Sequence, residues 1–125
     1  MRTQEYLVFK DSDKNEHKTR ITKITGINEI IEEVDANDQL HDWSLEYISC
    51  NGKDAQITAR SYENETLFHF HIKELQNYSI DLDVVVRWLY EVNIAVSNDI
   101  SIIFDGVGIE MSAKEVILEI QEKIS

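Results

Sequence analysis

Short runs of apolar, strand-forming residues broken by polar turns open the chain. Residues 5–10 (Glu-Tyr-Leu-Val-Phe-Lys) are rich in strand formers, and residues 17–24 carry Thr19, Ile21, Thr22 and Ile24. With the polar stretch from Asp11 to Glu16 between them, they predict two strands joined as a hairpin. The period then changes. Ile27, Ile30, Ile31 and Val34 fall at i, i+3, i+4 and i+7, which predicts a helix from Ile27 to Asp35. Glu29, Glu32 and Glu33 lie on its opposite face.

Residues 43–50, 53–60 and 66–73 read as three consecutive antiparallel strands. A two-residue Asn51-Gly52 turn would set apolar residues of one strand beside polar residues of the next. A three-residue loop with Gly52 left-handed pairs Tyr47 with Ala55, Leu45 with Ile57 and Trp43 with Ala59. The next loop, 62–65, then sets Ala59 against Phe68 and Ile57 against Phe70. Trp43, Leu45, Tyr47, Ile57, Phe68 and Phe70 would share the apolar face.

Asp81 is a good N-cap for a second helix over residues 81–92, with Leu82, Val85, Val86 and Leu89 at helical spacing. Asp99 to Phe104 reads as a strand, Asp105-Gly106 as a turn and Val107 to Met111 as a short strand. Ser112 and Glu115 form a capping box, behind which Ala113, Val116, Ile117, Ile120 and Ile124 make a third helical stripe. The predicted order is ββαβββαββα. It describes one α+β domain over residues 1–125, a mostly antiparallel sheet with helices packed on one face.

Charge changes the picture more than composition does. Of 125 residues, 42% are apolar and 29% charged, ordinary globular proportions. The net charge is −12, which argues against direct binding to nucleic acid, since that needs a basic surface. Residues 1–23 hold six bases and four acids; the remainder holds six bases and twenty acids. Between Lys23 and Lys53 there are seven acids and no base. Glu29, Glu32, Glu33, Asp35, Asp38 and Asp42, with Trp43 beside them, therefore form the candidate partner-binding set, an acidic patch with an aromatic anchor. The implied partner is a basic protein such as a nuclease or toxin, neutralised in the manner of an immunity protein or nucleic-acid mimic. No catalysis and no cofactor is expected.

Other chemistry is weaker. His69 and His71, at i and i+2 on one strand, would share the polar sheet face with Glu46, the pattern of a metal or ligand site. Asp11-Ser-Asp13-Lys-Asn15 begins like a calcium loop but has Glu16 at the required glycine. Cys50 alone makes no internal disulfide. Phosphate-binding glycine patterns and a Gly-x-Ser-x-Gly elbow are lacking. No apolar run reaches the ~18 residues of a transmembrane helix, and no leader pattern opens the chain, so a cytoplasmic, membrane-free setting is expected. From residue 27 onward the order αβββαββα in a small acidic chain resembles that of secretion effector chaperones. That resemblance implies an adaptor whose middle helix, with Val84 and Trp88, forms a homodimer.

Overall fold

The computed structural model describes residues 1–63, 65–81 and 87–124. β1 (Arg2–Lys10) and β2 (Glu16–Ile24) form the expected hairpin, paired along their whole length from Arg2 with Ile24 to Lys10 with Glu16. Asp11 closes the turn: its carboxylate accepts from the amides of Asp13 and Asn15, both at 2.9 Å. The helix α1 (Ile27–Ala36) follows, burying Ile30 and Val34. Next come β3 (Ser44–Cys50), β4 (Ala55–Arg60), β5 (Leu67–Ile80), β6 (Glu91–Val96), β7 (Ile100–Asp105) and β8 (Ile109–Lys123).

All pairings are antiparallel, and all eight strands belong to one sheet. Its main path runs β1-β2-β8-β5-β4-β3. β8 carries the branch. Its first part pairs with β7, which pairs with β6, and its last part pairs with β2, while β5 lines its other edge. Residues 87–90 return the chain to the opposite end. Ser44 and Trp88 form an antiparallel bridge, the amide of Leu45 donates to Arg87 O at 2.7 Å, and that of Tyr90 donates to Asp105 O at 2.8 Å. The curled sheet thus closes between β3 and the end of β7.

The predicted α+β class with three helices is therefore incorrect: the fold is mostly antiparallel sheet, with a single α-helix among the described residues. The third helix is in fact β8. Its inward residues are Ile109, Met111 and Ala113, then Val116, Leu118 and Ile120, with exposed Lys114 and Glu115 between the two sets. Each set alternates with period two, but the step from Ala113 to Val116 is three, and that step mimics a helical stripe. Of the second helix, residues 82–86 lie outside the described residues. Its later part is extended, with Trp88 in the bridge and Val92 in β6.

The β4–β5 register is as expected, with Ala59 on Phe68 and Ile57 on Phe70. The β3–β4 register is not. Cys50 pairs with Ala55 and Ile48 with Ile57, and a bulge between Leu45 and Tyr47 shifts the rest. Asn51 makes the difference, because its side-chain oxygen accepts from the amides of both Lys53 and Asp54 and lengthens the loop. Tyr47 consequently points outward beside Thr58 and is half-exposed. The core is aromatic at its centre: Phe70 meets Phe68 and Phe104 edge-on, at 6.2 and 5.4 Å between centroids.

Candidate functional site: an acidic and aromatic cleft

The end of α1 is built by local chemistry. The amide of Asn37 donates to Val34 O, and its side-chain nitrogen donates to Glu33 O at 2.8 Å. The chain then turns left-handed over three residues without glycine: Asp38, Gln39 and Leu40 have φ of 54°, 53° and 60°, and Asp42 has 66°. A left-handed residue with a Cβ costs roughly 1–2 kcal/mol. Leu40 is completely buried in the core, and its burial, worth about 1.5–3 kcal/mol, offsets part of that cost. The strained segment sets the acids at its two ends toward one hollow.

That hollow is a cleft of about 540 Å³ lined by Asn37, Asp38, His41, Asp42, Trp43, Ser61, Tyr62, Glu63 and Trp88. Two of its aromatic walls present themselves to solvent, Tyr62 at 77% and Trp88 at 51% exposure. Trp43 does not: it is buried and packs edge-on against Phe68 at 4.8 Å. The exposed rings of the cleft are therefore not Trp43 but Trp88, which the Ser44 bridge delivers, and Tyr62 from the β4–β5 loop. Neither was legible in the sequence as part of the site, because long-range pairing alone brings them to the helix exit.

His41 forms part of one wall. Its Nδ1 lies 2.7 Å from Tyr90 O and its ring meets Tyr90 edge-on. The hydrogen bond to Tyr90 O, aided by the nearby Asp42 carboxylate, raises its pKa above the ordinary histidine value. Protonation at His41 therefore partly offsets the negative charge of the cleft.

The predicted acids separate into two groups. Glu33 is met by Arg2 at 3.1 Å, and Glu29 by Arg2 at 3.8 Å and by the Met1 amino group at 3.3 Å. Glu32 and Asp35 lie exposed on α1, while Asp38 and Asp42 reach the cleft. Glu63 joins them from the facing loop.

The histidine face is hydrogen-bonded within the sheet, with a hollow of about 280 Å³ at its His71 end, lined also by Cys50, Gln56 and Lys73. His69 lies 2.8 Å from Thr58 Oγ1 and 3.3 Å from Gln121 Oε1, and His71 lies 3.6 Å from Glu119. Glu46 turns away to Arg60 at 2.9 Å and accepts from Ser44 at 2.8 Å. Among the described residues no group of three His, Cys, Asp or Glu side chains is placed to hold a metal ion. Cys50 is paired with Ala55 on the core side, whereas His71 is on the outer face, opposite Gln56. No helix among the described residues is long and apolar enough to cross a membrane. Comparisons with family models, with curated proteins and with solved structures found no match.

Proposed function

We propose that this chain is a non-catalytic binding protein whose cleft at the exit of α1 receives a cationic side chain of a basic protein partner. The observation that carries the reading is the composition of one cleft: Asp38, Asp42 and Glu63 around the exposed rings of Tyr62 and Trp88. Carboxylates attract and steer a guanidinium or ammonium group, and aromatic faces hold it through cation–π contact and displaced water. Each ring contact of this kind is worth about 0.5–2 kcal/mol, depending on how dry the site becomes. Exposed Glu32 and Asp35 extend the negative potential along the helix, suiting a groove built for phosphates, as in a nuclease or toxin.

Immobilised chain exposed to proteins of its native host tests this reading. A basic protein should be retained at low salt, released at high salt, and lost by the variant carrying Asp38→Lys, Asp42→Lys and Glu63→Lys. Retention indifferent to that triple reversal would overturn it.

A further inference from the structure

The hairpin poses a problem that the cleft does not touch. β1 pairs with β2 along one edge only and ends the main path of the sheet, so among the described residues its other edge meets no strand. Such an edge is a template for another strand, and proteins ordinarily blunt it with proline, bulges, short length or charge. Of these β1 has only charge, Arg2 and Glu5 before its apolar middle and Lys10 after it. It runs nine residues without a register shift or a proline. At its middle stand Tyr6, Leu7, Val8 and Phe9, exposed by 48%, 52%, 55% and 57%. Because neighbours on a strand point to opposite faces, the apolar surface lies on both sides of the edge.

We propose that β1 is a self-pairing edge, through which two copies of the chain join antiparallel about a two-fold axis at Leu7. Symmetry and charge single out this register. A two-fold axis normal to the sheet must pass where one residue meets its own copy, since directly opposed residues share a face. With the axis at Leu7, Tyr6 meets the partner's Val8, Glu5 meets the partner's Phe9, and Gln4 meets the partner's Lys10. The register contains no like-charge pair. An axis at Tyr6 would oppose Arg2 to the partner's Lys10, and an axis at Val8 would shorten the pairing to residues 6–10.

Self-complementarity selects a second copy as the occupant, since Leu7 meets Leu7 and Tyr6 meets Val8, apolar on apolar. Charge makes this edge the least repulsive place for two copies to meet. Residues 1–23 carry six bases against four acids, while the rest of the chain carries six against twenty. Two such chains repel each other through their bodies. Pairing through the hairpins brings together the parts that are not acidic and keeps the bodies apart.

The proposal stands apart from the cleft and is tested separately by cross-linking in a Cys50→Ser background. Directly opposed antiparallel residues have Cα atoms about 4.5–5.5 Å apart, within disulfide range. Leu7→Cys should oxidise to a covalent dimer, while Glu5→Cys, opposite the partner's Phe9, should remain uncrosslinked. Sedimentation should show the unaltered chain as a dimer. Leu7→Asp sets like charges face to face and should raise the dimer dissociation constant roughly tenfold or more, with an unchanged circular dichroism spectrum. A chain that sediments as a monomer at millimolar concentration, or Glu5→Cys cross-linking as fully as Leu7→Cys, would overturn the proposal. None of these outcomes depends on binding at the cleft.

Discussion

Nη2 of Arg2 stands 3.1 Å from Oε2 of Glu33. The start of β1 thereby neutralises part of the helix face that the sequence marks as acidic. The acids it does not reach are Glu32 and Asp35 on α1 and, at the cleft, Asp38, Glu63 and Asp42, the last 3.5 Å from Nε2 of His41. Arg2→Gln should release Glu33, leave Glu29 with the Met1 amino group alone, and speed association with a basic peptide at low salt. Stability should fall by less than about 1 kcal/mol, because the pair is solvent-exposed. Stopped-flow mixing and urea unfolding of the variant measure the two effects.

Closure of the sheet depends on a glycine. Gly106 has φ of +98°, and a Cβ there would lie 2.8 Å from Tyr90 N and 2.9 Å from Trp88 O. Gly52 is also left-handed, at φ of +88°, but has open space around it. Gly52→Ala should cost about 1 kcal/mol from conformation alone. Gly106→Ala must in addition push back the segment carrying Trp88, and should cost more and blue-shift or broaden the Trp88 emission. Equal unfolding midpoints for the two variants would contradict the described closure.

Phe70 joins Phe68 to Phe104 and is completely buried. Phe70→Ala should lower stability by about 3–5 kcal/mol in urea unfolding. Val96→Ala, at a half-exposed position near the end of β6, should change it by less than about 0.5 kcal/mol.

His41 links the cleft to pH. Its raised pKa means the folded state binds the proton more tightly than the unfolded chain does. The stability this contributes is present below the ordinary histidine range and is lost as pH rises through the raised value. Cation binding should change in the opposite direction, strengthening as His41 deprotonates. A proton NMR titration should place the His41 midpoint above that of an unperturbed histidine. A midpoint at or below the ordinary value would be contrary evidence.

The sequence was informative wherever one period ran uninterrupted. The β1–β2 hairpin, the α1 stripe of Ile27, Ile30 and Val34, and the Ala59–Phe68 register could all be read from spacing. It failed at β8, where the three-residue step from Ala113 to Val116 joined two strand patterns into an apparent helix. It also failed at β3, where the side chain of Asn51 reset the turn by hydrogen bonds that spacing does not reveal. Of the cleft, the acids Asp38 and Asp42 were legible as a charge run. Tyr62, Glu63 and Trp88 were not, because they reach the cleft from a distant loop and a bridged segment.

The emission of Trp88 during titration with an oligo-arginine peptide tests the cleft most directly, with Trp88→Phe as the blank. A saturating change that weakens as salt rises, and that Asp38→Asn with Asp42→Asn abolishes, is the expected result. An unchanged emission, or a response that survives both replacements, would contradict the assignment of this cleft to a cationic partner.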